Sequence, residues 1–179
     1  MIGANVLFGS EPVIKQITPE DKEGIKELKR INSIIFPQTY NDIFYRKLVP
    51  IANFHLVYVK GELIGSFSFL LKSKSVALDP QVMSHIVSQY ENCCYIMNLG
   101  VLSVYRKQGF GRSMWNFIRD YAERYFREQQ FEYCLHVQEK NKSAIRFYEK
   151  LGFQRISQIE NYYRQLEGRN ALVMARTRN

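Results

Sequence analysis

The stretch from Tyr95 to Val137 constrains the fold most, because it reads strand, helix, strand. Tyr95 to Val104 is rich in apolar residues. Met114, Ile118, Tyr121, Ala122 and Tyr125 then recur at helical spacing, and Phe131 to Val137 is apolar again. Two strands of one sheet joined through a helix imply a right-handed crossover and a locally parallel pair. The flanks carry other signals. Phe54–Val59 and Leu63–Leu71 bracket Lys60-Gly61-Glu62, the pattern of a hairpin with a glycine turn. Ahead of it lies a β-rich run, Val13–Ile17. Thr18 is the predicted N-cap and Pro19 the first residue of a helix striped by Ile25, Leu28, Ile31 and Ile35. Pro37 ends it, and Asn41-Asp42 opens a short second helix through Tyr45 and Leu48.

Past Val137, Asn141 caps a helix with inner face Ala144, Phe147, Tyr148 and Leu151, and Gly152 stands where a C-cap glycine belongs. Phe153–Ile156 and Ala171–Met174 read as two last strands around a loop at 161–168. In the long connection from Lys72 to Glu91, Asp79-Pro80 followed by Val82, Ile86 and Tyr90 predicts one inserted helix near 80–90. The order β-α-α-β-β-(insert)-β-α-β-α-β-β predicts an α/β (α+β) domain. Its sheet is mixed and mostly antiparallel around a central parallel pair.

A chain of 179 residues is read as one domain, 1–179, able to bury roughly 70% of its unfolded surface without a disulfide or metal staple. Cys93, Cys94 and Cys134 are odd in number and lack metal-ligand spacing, and His55, His85 and His136 lie far apart, so no metal is expected. The formal net charge of +8 favours an anionic partner: nucleic acid, a membrane surface or a phosphorylated cofactor. The charges are scattered, so specific DNA binding is not expected. No stretch approaches the ~20 apolar residues of a membrane helix. Met1–Pro12 carries neither a basic n-region nor an apolar h-region, so a cytoplasmic location, with the nucleus as a second compartment, is expected.

Arg106-Lys107-Gln108-Gly109-Phe110-Gly111 lies between the strand and the helix of the central run. Glycines let the backbone turn tightly there. The helix start offers free N–H groups and a positive dipole end to pyrophosphate. Arg106, Lys107 and Arg112 add formal charge. The glycine spacing is neither that of a dinucleotide fold nor that of a P-loop, and by itself the motif reads more readily as an ordinary strand–helix turn.

With Leu99-Gly100-Val101 before it and Asn141-x-Ser143-Ala144-x-x-Phe147-Tyr148-x-x-Leu151-Gly152-Phe153 after it, the segment resembles the GNAT superfamily of N-acetyltransferases. Phe36-Pro37-x-x-Tyr40-Asn41-Asp42, Tyr95-Ile96-Met97, Leu135-His136-Val137-Gln138 and Asn161-Tyr162-Tyr163 further resemble the NatE-type (San) N-alpha-acetyltransferases, over about Ile17 to Leu166. The resemblance implies about seven strands with a splayed parallel pair, four helices besides the insert, and acetyl-CoA as cofactor. The pyrophosphate would rest on Arg106, Lys107, Gln108, Gly109, Phe110, Gly111 and Arg112. Leu99, Val101, Asn141 and Tyr148 complete the implied cofactor site. Gln38 departs from the aliphatic residue usual in that family's substrate loop, and the connection at 72–91 is longer than the family's.

Acetyl transfer to an amine needs a neutral amine, a held thioester, a stabilised oxyanion and a protonated leaving thiolate. An α-amine titrates near ~7.7–8.0, so a base assists, directly or through one water. Strand alternation puts Tyr95, Met97 and Leu99 on one face, and Cys134, His136 and Gln138 on one face of the next strand. Tyr95 and His136 can therefore look into one cleft, although a packed core role is the competing reading for each. The resemblance assigns this pair to water-mediated base chemistry and Tyr148 to the general acid. It gives the Leu99 amide to the oxyanion and Val101 to the pantetheine arm. Phe36, Pro37, Tyr40, Met97, Tyr162, Tyr163 and Leu166 would enclose a protein N-terminus, with an apolar first pocket suited to a retained Met followed by an apolar residue.

The cradle serves other amines equally well, so a lysine or small-amine acetyltransferase is an alternative. A weakly active, ribosome-associated subunit of a NatA-type complex is a third reading, which the basic charge allows.

Overall fold

In a computed structural model of the protein, which describes residues 11–73, 91–163 and 166–178, seven strands form one sheet. They are β1 (Val13–Ile17), β2 (Asn53–Val59), β3 (Glu62–Lys72), β4 (Cys93–Val101), β5 (Glu132–Gln138), β6 (Gln154–Ile159) and β7 (Ala171–Thr177). The sheet order is β1-β2-β3-β4-β5-β7-β6, and every neighbouring pair is antiparallel except β4–β5. The helices are α1 (Lys22–Ile35), α2 (Asp42–Leu48), α3 (Phe110–Phe126) and α4 (Lys142–Lys150). The expected crossover is thus α3, between the parallel strands. The helix expected near 80–90 falls outside the described residues.

Helix starts follow local chemistry. Asn41 and Asn141 cap α2 and α4, accepting from Phe44 N at 2.9 Å and Ala144 N at 3.1 Å. The cap of α1 corrects the sequence reading: it is Asp21, not Thr18. The Asp21 carboxylate accepts from Gly24 N at 2.8 Å and holds Lys15 at 2.8 Å. Thr18 instead accepts from Asp21 N through its carbonyl at 3.1 Å, so Pro19 sits in a turn that precedes the helix. The carboxylate wins because it meets both a helix N–H and a cation.

Two cores flank the sheet. On one face α1 and α2 close over Ile17, Phe54, Leu56 and Leu63. On the other, Met114, Trp115, Ile118, Ala122 and Phe126 of α3, with Ile145 and Tyr148 of α4, pack on Phe67, Phe69, Cys94 and Ile96. Burial of this apolar area is the main stabilising term. Tyr125, expected on the inner stripe of α3, is 45% exposed, whereas Trp115 and Phe126 take the inner face.

The parallel pair is short. β4 and β5 are in register only from Cys93↔Glu132 to Ile96↔Leu135. Beyond that, β5 stays with β7 as far as Gln138↔Ala171 while β4 follows β3, so the two strands part. A β-bulge accompanies the parting. Phe69 pairs Ile96 and Ser68 pairs Asn98, which leaves Met97 as the extra residue. The alternation of β4 changes phase there. Tyr95 and Met97 pack on one face, whereas Leu99 joins the α3–α4 core on the other, contrary to the strict alternation expected.

Candidate active site

The cradle forms at the end of β4. After Val101 a 3-10 turn, Ser103–Tyr105, leads to Arg106, and α3 opens with Gly109 as its cap. Gly109 has φ +92°, which a side chain would strain, and a Cβ there would point into open space. Lys107 shares the left-handed region at φ +63°. Two left-handed residues on either side of Gln108 turn backbone amides to one side, as anion nests do. The first amides of α3 lack intrahelical partners by position. Arg106, Lys107 and Arg112 are exposed beside them. Gln108 turns its amide back onto the loop, donating Nε2–H to Val104 O at 2.9 Å. Gly111 keeps α3 close to α4, since a Cβ there would stand 3.3 Å from the Phe147 ring. The residues therefore fit a pyrophosphate: open space over the glycine, oriented amides and flanking cations.

On the α1–α2 face, at the base of the parting strands, Tyr95 Oη and His136 Nδ1 lie 3.0 Å apart. Tyr162 stacks on the His136 imidazole with ring centres 4.6 Å apart and 7° between planes, and Tyr163 meets Tyr162 edge-on at 4.9 Å. Burial, reinforced by Tyr162, holds the Tyr95 hydroxyl well above its ordinary pKa. Tyr95 therefore keeps its proton, and within the pair the imidazole is the group with a ring nitrogen that can accept one.

The Phe36–Tyr40 segment runs alongside β4. Phe36 packs against Gly100, where a Cβ would come within 3.0 Å of its ring. Tyr40 stacks on Phe44 at 4.4 Å, and burial pushes its hydroxyl up to about 12. Tyr45 and Tyr162 add to that rise, so Tyr40 lies within electrostatic range of the Tyr162 segment. Pro37 is exposed and Gln38 half-buried. Leu166 N donates to Tyr163 O at 3.1 Å, which keeps Leu166 in the same loop turn as the tyrosines.

Tyr148 reaches the site from the other side of the sheet. It is 8% exposed, packs on Phe147 and Phe153, and is raised above its ordinary pKa by burial alone. Burial first, then Tyr162 and Tyr40, and last Tyr148, raise the Tyr163 hydroxyl above its ordinary pKa. Among the described residues no group of three or more His, Cys, Asp or Glu is placed to hold a metal, and no helix is long and apolar enough to cross a membrane.

Two contributors were given no role from sequence. Gln138 Nε2 donates to Glu167 O at 2.8 Å and Gly168 O at 3.1 Å, fastening the loop that carries Tyr162, Tyr163 and Leu166. Asn98 is buried beside Tyr40. The signal for it was present: a lone amide in an otherwise apolar strand.

A family model described as the acetyltransferase (GNAT) family matches residues 25–153. The chain belongs to that family. This GNAT acetyltransferase is 34% identical over 162 residues to N-alpha-acetyltransferase 50 of Danio rerio, covering 90% of this chain and 85% of that protein. It is 32% identical over 163 residues to the probable N-acetyltransferase san of Drosophila melanogaster, covering 90% of this chain and 78% of that one. A solved structure of Arabidopsis thaliana Naa50, in complex with the bisubstrate analogue CoA-Ac-MVNAL, matches at a TM-score of 0.72 and 29% identity. The match covers 92% of this chain and 97% of that chain. As an acetyltransferase of this family the chain uses acetyl-CoA, and the cradle at Arg106–Arg112 is the part of it suited to the pyrophosphate.

Proposed function

We infer that the chain acetylates the α-amine of protein N-termini, with a preference for a retained Met followed by an apolar residue. The observation that carries this reading is the Tyr95–His136 pair, 3.0 Å apart, at the base of a cleft walled by Phe36, Tyr40, Met97, Tyr162 and Tyr163. An uncharged aromatic cleft suits a neutral main chain and an apolar first side chain. The analogue bound by the Arabidopsis relative begins Met-Val, which agrees with that preference.

Acetyl-CoA, when bound, supplies the acetyl group as an activated thioester. Arg106, Lys107, Gln108, Arg112 and the amides of Gly109, Phe110 and Gly111 would hold its pyrophosphate, with Asn141 nearby at the start of α4. The backbone of Leu99 and Val101 borders the gap between β4 and β5, where it can pair with an extended arm and offer an N–H to a carbonyl oxygen. His136 accepts the amine proton through one water, and Tyr95 Oη orients imidazole and water. Tyr148 keeps a proton on Oη at neutral pH, available to the departing sulfur. The parting of the strands explains how groups on opposite sheet faces serve one reaction: Tyr148 lies on one side, Tyr95 and His136 on the other.

The test is turnover with acetyl-CoA on three peptides: a Met-Leu N-terminus, a Met-Asn N-terminus, and an N-terminally blocked peptide with an internal lysine. Turnover of the first above the second, with little on the third, is expected. Faster turnover of the lysine peptide would favour a side-chain acetyltransferase and overturn this reading.

A further inference from the structure

Two polar seams cross from β3 toward the α1–α2 side. The first is closed. Ser66 Oγ donates to Asn32 Oδ1 at 2.6 Å, and Asn32 Nδ2 donates to Tyr45 Oη at 3.1 Å. The second has the same residue types two positions along the strand: Ser68, Asn98 and Tyr40. Ser68 faces Asn98 directly across the β3–β4 ladder, next to the Met97 bulge. The Asn98 amide is close enough to the Tyr40 hydroxyl to favour its ionised form, yet the two make no hydrogen bond of normal geometry. This seam is open. Ser68 is 0% exposed and Asn98 7% exposed, yet Ser68 Oγ, Asn98 Nδ2 and Asn98 Oδ1 have no hydrogen-bond partner.

Buried polar atoms without partners are uncommon, and each disfavours the state that leaves it unpaired. A pair kept only for structure would be closed, as Ser66 and Asn32 are. The open pair lies just beneath the lining of the proposed acceptor cleft, its polar atoms shut off from solvent in the free protein. Tyr40 sits over it, and the bulge brings both Met97 and Asn98 to the cleft face of β4. Asn98 offers donors and an acceptor together, and Ser68 a hydroxyl that serves as either. The group that satisfies both kinds of atom at once is an amide. The nearby polar groups are tyrosine hydroxyls and an imidazole, so nothing there would balance a carboxylate or an ammonium.

We propose that Ser68 and Asn98 form a subsite that hydrogen-bonds an amide group of the acceptor peptide and so sets its affinity. The proposal rests on reading the cleft as an acceptor-peptide site. In the free protein the pair is strained by desolvation, and bound peptide relieves it. Apolar replacements should therefore separate stability from binding. Asn98→Leu and Ser68→Ala each remove unpaired buried atoms, so the free protein keeps or gains stability. Both should weaken the peptide: about tenfold in Kd for Asn98→Leu, equivalent to about 1.4 kcal/mol, and about threefold for Ser68→Ala.

The experiment is calorimetry on the CoA-loaded protein, with thermal melting of each variant. The probes are a Met-Leu peptide, a Met-Asn peptide, and a Met-Leu analogue with an ester in place of the first peptide bond. If the subsite reads the main chain, the ester binds the wild type more weakly than the Met-Leu peptide does, and Asn98→Leu removes that difference. If it reads a side-chain amide, Met-Asn binds the wild type more tightly than Met-Leu, which replaces the apolar preference at the second residue while keeping the N-terminal acetyltransferase reading, and Asn98→Leu removes that gain. Either result supports the subsite. Equal affinities in wild type and variants for every probe, or a lowered melting temperature with unchanged peptide affinity, overturn it while leaving the proposed function standing. A wild type that binds CoA but no N-terminal peptide overturns both. Should Asn98→Leu fail to fold, Ser68→Ala decides by the same criteria.

Discussion

At the scale of single residues, backbone conformation and proton affinity carry the chemistry. Gly109 combines φ +92° with open space beyond its missing side chain. Gly109→Glu would strain the turn by about 1–2 kcal/mol and add a like charge where the proposed site holds phosphate. CoA binding measured by calorimetry should then be lost in a protein that still melts cooperatively. Gly109→Ala should keep the fold and weaken CoA by a smaller factor. The proton acceptor is a separate matter. Tyr95 is held protonated by burial and by Tyr162, so the proposed mechanism gives the base function to the imidazole that it contacts at 3.0 Å. His136→Ala should lower kcat by roughly 10²-fold while CoA affinity stays within error. Tyr95→Phe should cost less, because it removes orientation and leaves the acceptor. Wild-type kcat in His136→Ala across mildly acidic to mildly basic pH would take His136 out of the reaction.

At the scale of elements, the site is a set of segments held at a gap. β4 and β5 pair over four positions and then part, and the loop after β6 is fastened back onto β5 by Gln138. Both bonds of that side chain go to backbone carbonyls, each worth about 1 kcal/mol. Gln138→Ala should raise KM for peptide about five- to tenfold in steady-state assays without altering CoA affinity, because Tyr162 and Tyr163 lose their anchor and the cradle does not. Gln138→Glu keeps the volume but brings a carboxylate against two carbonyls, so its peptide KM should rise at least as far at neutral pH. The Met97 bulge is the other element-scale device. It places Tyr95, Met97 and Asn98 toward the cleft and turns Leu99 to the opposite core.

At the scale of the whole molecule, the α3 side of the sheet contains a histidine that the reaction does not use. His55 is 1% exposed and stacks on Phe67 at 4.6 Å, with Phe117 edge-on at 4.8 Å. Burial lowers its pKa from 6.5 to about 4. The unfolded chain therefore binds this proton more readily than the folded one. The stability tied to neutral His55 is fully present above pH 6.5 and is lost as pH falls from there toward about 4. The shift corresponds to about 3 kcal/mol at the acid end. Urea unfolding followed from pH 7 to pH 4 should show this slope, and His55→Leu should flatten it. An unchanged slope in His55→Leu would assign the acid sensitivity to other groups.

Much of this was legible in the chain itself. Local rules suffice for Asn41 and Asn141 as caps, for the stop before Pro37, for the hairpin at Lys60-Gly61, and for a glycine turn opening α3 on a row of cations. Each depends on residues within a few positions of one another. Strand–helix–strand order was enough to call for a parallel pair, because crossover handedness follows from chain chirality. What the chain could not disclose depends on partners distant in sequence. The choice of Asp21 over Thr18 turns on Lys15 reaching the same carboxylate. The phase change at Met97 arises from the pairing of β4 with β3, so strict alternation misplaced Leu99. Gln138 gains its role only when Glu167 and Gly168 fold back beside it. Ser68 and Asn98 lie 30 positions apart, and their unpaired state exists only once two strands and the Tyr40 segment enclose them. Local sequence determined which segments form and where a glycine turn flanked by cations opens α3. Tertiary structure alone decided which side chains share the cleft, because strand register and the parting of β4 from β5 are set by long-range pairing.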